Sequence, residues 1–180
     1  MKKLHLNARS RDVVFRSLVA FAMLFGIVIL QTSFLPGLDL FGAIPDLALV
    51  FVVGIAFFDG FRIGILNGIG AGLLVYFLGG MGAALPILFY SFCGGGFGLA
   101  SERILGRNFP SWCIYAISAT FLKAVWSLLV CFWLSASPRL GAALTESILP
   151  EAIGTFLLFL FLWYPIKRVS KLLKRKSEIS

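Results

Sequence analysis

The sequence predicts an all-α integral membrane protein of six transmembrane helices, with both termini cytoplasmic. Three observations carry that prediction. Of the 180 residues, 59% are apolar and 13% charged, with a mean hydropathy of +0.97; a soluble domain has nowhere to hide that much apolar surface. Apolar runs bounded by charges recur along the whole chain and are continuous, not alternating, which fits membrane helices and disfavours a β-barrel. The cations also partition by side. With six helices and the N-terminus inside, 14 of the 16 Lys and Arg residues fall on the inner side, Arg139 alone falls outside, and Lys123 lies within helix five. That bias is the positive-inside pattern.

The elements follow in order. A basic segment, 1–16, carries Lys2, Lys3, Arg9, Arg11 and Arg16 and precedes the membrane domain, 17–166. The first apolar run, Ser17 to Pro36, has no small-x-small site after it, so it reads as an uncleaved transmembrane helix. Helix two starts near Pro45, where a missing N–H costs nothing, and ends at Phe58. Helix three runs from Ile63 to Leu78, followed by an uncharged turn, Gly79-Gly80-Met81-Gly82. Helix four spans Ala83 to Ser101, helix five Ser111 to Ser135 and helix six Ile148 to Ile166, with a basic tail over 167–180. Helices two and three hold only about 15–16 apolar residues each, roughly 23–24 Å against a hydrocarbon core of about 30 Å. They either borrow length from flanking loops or form a re-entrant hairpin.

Within that hairpin the glycines Gly60, Gly64, Gly68 and Gly72 recur every fourth residue, which puts them on one helix face. Such a stripe admits close approach of another helix, of this chain or of a partner. Asn67, among these glycines, is expected to hydrogen-bond across a helix interface. The adjacent glycines of helix four, Gly94-Gly95-Gly96, read as close packing or as a helix break beside a solute.

Charged residues inside the membrane are functional candidates. Lys123 lies about 20 Å into helix five from the inner surface, a depth similar to that of Glu151 in the first turns of helix six. The two are therefore expected to pair between neighbouring helices, or else Lys123 snorkels outward. Asp46 suits the positive start of helix two. Asp59 and Arg62 are expected to pair locally at the inner turn. The tail cations Lys167, Arg168, Lys171, Lys174, Arg175 and Lys176, interleaved with Ile166, Val169, Leu172 and Leu173, suit a helix lying on anionic lipid. Trp163 and Tyr164 suit the interfacial aromatic belt. Lipid and topology account for this charge without nucleic acid.

Chemistry finds little footing. Cys93, Cys113 and Cys131 are dispersed through apolar segments, and the single histidine, His5, lies in the basic leader; neither a disulfide framework nor a metal site follows. The sequence contains no GxSxG, HExxH or P-loop motif. No enzymatic activity, cofactor or metal is expected.

Several short motifs in this order carry a resemblance: Leu30-Gln31-Thr32, Phe41-Gly42-Ala43-Ile44-Pro45-Asp46-Leu47, the glycine-spaced helix, the Leu-Gly-Gly-x-Gly turn, and Leu149-Pro150-Glu151 leading to Tyr164-Pro165-Ile166-Lys167-Arg168. In length and layout the chain resembles the rod shape-determining MreD family. The resemblance implies a fold similar to the substrate-binding subunits of energy-coupling-factor vitamin transporters. It also implies a bacterial inner-membrane location, an MreC-like partner, and a place beside MreB filaments and the wall synthases. The family's aspartate near the end of helix three is missing, since Val75-Tyr76-Phe77-Leu78 contains no acid; a role resting on it does not transfer. The function expected is a non-catalytic scaffold of cell elongation. The alternative is a solute-binding transporter subunit, which would need polar side chains gathered under the outer loops.

Overall fold

The computed structural model describes residues 2–33, 44–78, 85–104, 106, 108–134 and 148–179, with side chains described between 14 and 133 and between 148 and 171 of those segments. They form six α-helices: α1 (Lys2–Ser33), α2 (Leu47–Asp59), α3 (Phe61–Leu78), α4 (Leu85–Arg103), α5 (Phe109–Leu134) and α6 (Leu149–Ile179). Four of them, α1, α3, α5 and α6, are long and apolar enough to cross a membrane, consistent with a multi-pass membrane protein. The turn 79–82, Arg139 and the side chains of Lys174, Arg175 and Lys176 lie outside the described residues.

The centre of the bundle is α2. Every side of this helix is apolar, and Ala48 through Phe58 are all buried, as a helix without a polar face must be. Its 13 residues rise only about 20 Å, less than the sequence suggested, because capping by Asp46 places its first turn at Leu47. Pro45 and Asp46 precede the helix, and Asp46 Oδ1 accepts a hydrogen bond from Leu49 N at 2.9 Å, satisfying one of the free N–H groups of the first turn. The other end closes at Gly60, whose φ of +89° is the left-handed region that glycine enters without strain. There Glu102, at the end of α4, accepts from Phe61 N at 3.0 Å.

The Asp59–Arg62 pair expected at this turn is not formed. Asp59 instead lies 3.8 Å from Arg16 Nη1 of α1 and accepts from Ser170 Oγ of α6 at 3.2 Å. The reason is geometric: with Gly60 turning the chain, Asp59 ends α2 inside the bundle while Arg62 opens α3 on its flank. One carboxylate thus ties three helices.

The glycine stripe is filled from within the chain. A Cβ at Gly64 would collide with the Gly94 carbonyl oxygen and come within 2.8 Å of the Ala56 Cβ; one at Gly68 would lie 2.9 Å from the Tyr90 carbonyl carbon; one at Gly72, 2.9 Å from Ile87 N. Gly94 and Gly98 complete the seam from the α4 side, Gly98 facing Phe61 Cα at 2.7 Å from a would-be Cβ. Backbone therefore meets backbone along α3 and α4, the contact that drives association in lipid. Gly60 belongs to the turn, and only the other three form the helical stripe. The glycines of α4 are not a break, since the helix is continuous through them; Gly94, Gly95 and Gly98 are buried packing positions, and Gly96 is open. Asn67 does not bridge helices: Nδ2 donates to Ile63 O of its own helix at 2.9 Å.

Two further departures concern α1 and α6. The basic leader is the start of α1, one helix of 32 residues. Past Pro165, α6 continues unbroken to Ile179, and Ile166 and Ser170 are buried. One side of the first turn of the tail therefore packs on the bundle. Trp163 is buried as well, in an aromatic group with Phe57, Phe58 and Trp112, while Tyr164 is exposed. Lys167 Nζ lies 5.0 Å over the Trp163 ring; Arg168 and Lys171 are exposed.

Replacing Gly64 or Gly68 by leucine is expected to separate α3 from α4 and to destabilise the protein by at least about 2 kcal/mol. A Cβ at Gly26 or Gly96 meets nothing within 4 Å, so Gly26→Ala and Gly96→Ala should not destabilise and should add up to about 1 kcal/mol through helix propensity. Thermal unfolding in detergent micelles checks both; equal effects at the two classes of glycine would refute the seam.

Candidate functional site

Asp46, just before the buried helix α2, has a side chain only 2% exposed. A lone carboxylate so placed costs far too much to remain charged and unpartnered. Three donors meet it. Lys123 Nζ of α5 lies 2.7 Å from Oδ2, the Tyr90 hydroxyl of α4 donates to the same oxygen at 2.6 Å, and Leu49 N serves Oδ1. These charge-assisted bonds are short, as such bonds are.

More of the chain converges on the same turn. Thr155 Oγ1 of α6 accepts from Asp46 N at 2.9 Å, and Gln31 Oε1 near the end of α1 accepts from Ala48 N at 2.9 Å. A Cβ on Gly154 would lie 2.9 Å from Pro45 Cγ, so the proline ring rests against the α6 backbone. Glu151 Oε1 stands 3.5 Å from Lys123 Nζ. The ammonium also lies 5.5 Å from the Phe89 ring centre and 5.7 Å from that of Tyr90, within range for a cation on an aromatic face. Five helices supply this polar cluster.

Lys123 therefore faces inward, bridging two carboxylates, and does not snorkel. Its strongest partner is Asp46, which sequence spacing did not single out; Glu151 is the longer and more exposed contact, its side chain 24% exposed against 2% for Asp46. Asp46 caps α2 and in addition carries an ion pair. Tyr90 and Thr155 were not singled out by the sequence, and Gln31 entered only as part of the Leu30-Gln31-Thr32 motif. Thr155 carried a signal as the one hydroxyl between Ala152 and Trp163, whereas Gln31 beside Thr32 and Ser33, and Tyr90 beside Ser91, did not stand apart. Hydroxyl and amide side chains thus join Asp46 and Glu151 from α4, α6 and α1.

The other candidates lie elsewhere. Gly64, Gly68 and Gly72 lie on the α3–α4 seam, and Asn67 beside them keeps its Oδ1 buried with no hydrogen-bond partner. Asp59, Arg62 and the described basic residues Lys167, Arg168 and Lys171 belong to the opposite end of the bundle. Val75 and Tyr76 are half-buried on α3. Among the described residues no group of three or more His, Cys, Asp or Glu side chains could hold a metal ion. Comparison of the chain with protein-family models, with curated proteins and with solved structures finds no match.

The cluster is an electrostatic clasp. Removing the lysine leaves Asp46 buried and unpaired, a loss of about 3–5 kcal/mol for such sites. In a double-mutant cycle in detergent, Lys123→Met with Asp46→Asn should show a coupling of about 1–3 kcal/mol. The Lys123→Met and Glu151→Gln cycle should show less. Additive effects at Asp46, or a larger coupling to Glu151, would contradict this ranking.

Proposed function

We propose that the protein is a non-catalytic scaffold of the bacterial cell-elongation machinery, a member of the MreD family spanning the inner membrane six times with both ends cytoplasmic. In this reading it helps organise peptidoglycan synthesis through contacts with an MreC-like membrane protein, and with MreB filaments and wall synthases directly or through that partner. Its basic ends face anionic lipid at the cytoplasmic surface. One observation supports the family reading most. Gln31, Pro45-Asp46-Leu47 and Glu151 belong to three separate short motifs, the last about 100 residues beyond the others, and all three meet at the polar cluster. Motifs that are weak singly gain weight when they build one structure. Because the glycine stripe is already occupied by α4, partner contacts in this proposal fall on the exposed apolar faces of α1 and α5, such as Leu18, Phe25, Phe121 and Leu129.

A second reading is the solute-binding subunit of a transporter. It is favoured by Lys123, Glu151, Tyr90 and Gln31 gathering near one end of the bundle, where such a subunit would present polar groups. Against it, each of the two Asp46 oxygens already has a donor from within the chain.

Depletion in the host decides between them. Rods that round up, with an MreC-like protein co-purifying, are the expected result. Unchanged cell shape together with thermal stabilisation by a vitamin-like solute would reject the scaffold and favour the transporter subunit.

A further inference from the structure

Helix α5 is held differently at its two ends. From Ser111 to Thr120 it has six buried residues, Ser111, Trp112, Tyr115, Ala116, Ala119 and Thr120. Trp112 is fully buried between Phe57, Phe159 and Trp163, and its indole Nε1 donates to Phe159 O at 2.8 Å. From Phe121 to Trp133 no residue is fully buried. Phe121, Leu129, Phe132 and Trp133 are among its exposed side chains. Segments with few buried apolar contacts open at low free-energy cost.

The described polar bonds from this half of α5 to the rest of the bundle are those of Lys123 to Asp46 and Glu151. Leu122 and Trp126 are partly buried against the core, Trp126 stacks on Phe89 of α4 at 5.3 Å, and the Lys123 ammonium lies over the Phe89 and Tyr90 rings. The level of Asp46 is where α2 begins, yet α5 runs on for 11 residues past Lys123 to Leu134, about 16 Å. The α2 helix therefore offers no side to the far part of α5. With no glycine or proline between Ser111 and Leu134, the helix has no internal hinge, so its movement is a pivot about the Trp112 end.

We infer that Lys123 is a latch: its bonds to Asp46 and Glu151 hold the 121–134 half of α5 against α4 and α6, and their release lets that half swing away and uncover Asp46, Tyr90 and the start of α2. Glu151 is the weaker hold and lets go first. The latch is a property of the bundle under either reading of function.

Pulsed electron paramagnetic resonance on the full chain in lipid nanodiscs tests it. One nitroxide goes on native Cys131 of α5 and one on Leu88→Cys of α4, with Cys93→Ala and Cys113→Ser. A control pair on Leu73→Cys and Phe92→Cys, with Cys131→Ser added, reports the α3–α4 seam. Because Lys123→Gln alone strands a buried carboxylate and could prevent folding, it is also measured with Asp46→Asn, which leaves no such charge. The expected result is one distance population in the parent protein, a minor longer one with Glu151→Gln, and a major longer one with Lys123→Gln/Asp46→Asn, the control pair being unchanged. An α4–α5 distance unaffected by these substitutions would overturn the latch. So would loss of the control distance as well, which would make the ion pair a tie of the whole bundle.

Discussion

The arrangement of helices about the start of α2 depends on a single buried charge. Asp46 is placed by its capping of α2, and α2 is placed by being apolar on every side. A carboxylate at the head of the most enclosed helix must find donors among the helices that enclose it. They come from α4 as Tyr90 and from α5 as Lys123, while α6 and α1 bind the neighbouring backbone through Thr155 and Gln31. The order of helices around α2 at that end is therefore set by polar matching and not by apolar burial, which in lipid discriminates poorly between helix faces.

Away from that end other forces take over. Along α3 and α4 the contact is backbone on backbone, made possible by Gly64, Gly68, Gly94 and Gly98. Around Trp112 it is aromatic: Phe57, Phe58, Tyr115, Phe159 and Trp163 form edge-on, tilted and stacked pairs with one another, arrangements that suit ring quadrupoles. At the opposite end Asp59 gathers α1 and α6, and Glu102 holds the α2–α3 turn. The bundle thus has a polar clasp at each end, a glycine seam on one side and an aromatic mass on another. The far half of α5 shares least in these, and that unevenness gives Lys123 its mechanical position.

Function reads differently once these contacts are in view. A glycine stripe open to a partner would have made α3 the natural docking surface; with α4 seated on it, α3 is structural. Lys123, which sequence position alone allowed to be a snorkelling residue, instead spans two carboxylates beneath two aromatic rings. A charge committed in this way organises helices first, and anything it does for a ligand or partner must go through loosening that bond.

What the sequence determined by itself is the class of molecule and its elements. Helix periodicity, hydropathy and the placement of glycine and proline are local properties, so the helices and the closeness of approach along Gly64–Gly72 were legible residue by residue. The depth argument also brought Lys123 and Glu151 to one level, because rise per residue is a constant of the helix. Only the tertiary structure decided partners. That Asp46 and not Glu151 is the nearer acid, that Asp59 turns to Arg16 and Ser170 and away from Arg62, and that α4 fills the glycine stripe all depend on how helices are arranged about α2. Sequence spacing gives a residue's height and face along its own helix, but not which neighbouring helix that face meets.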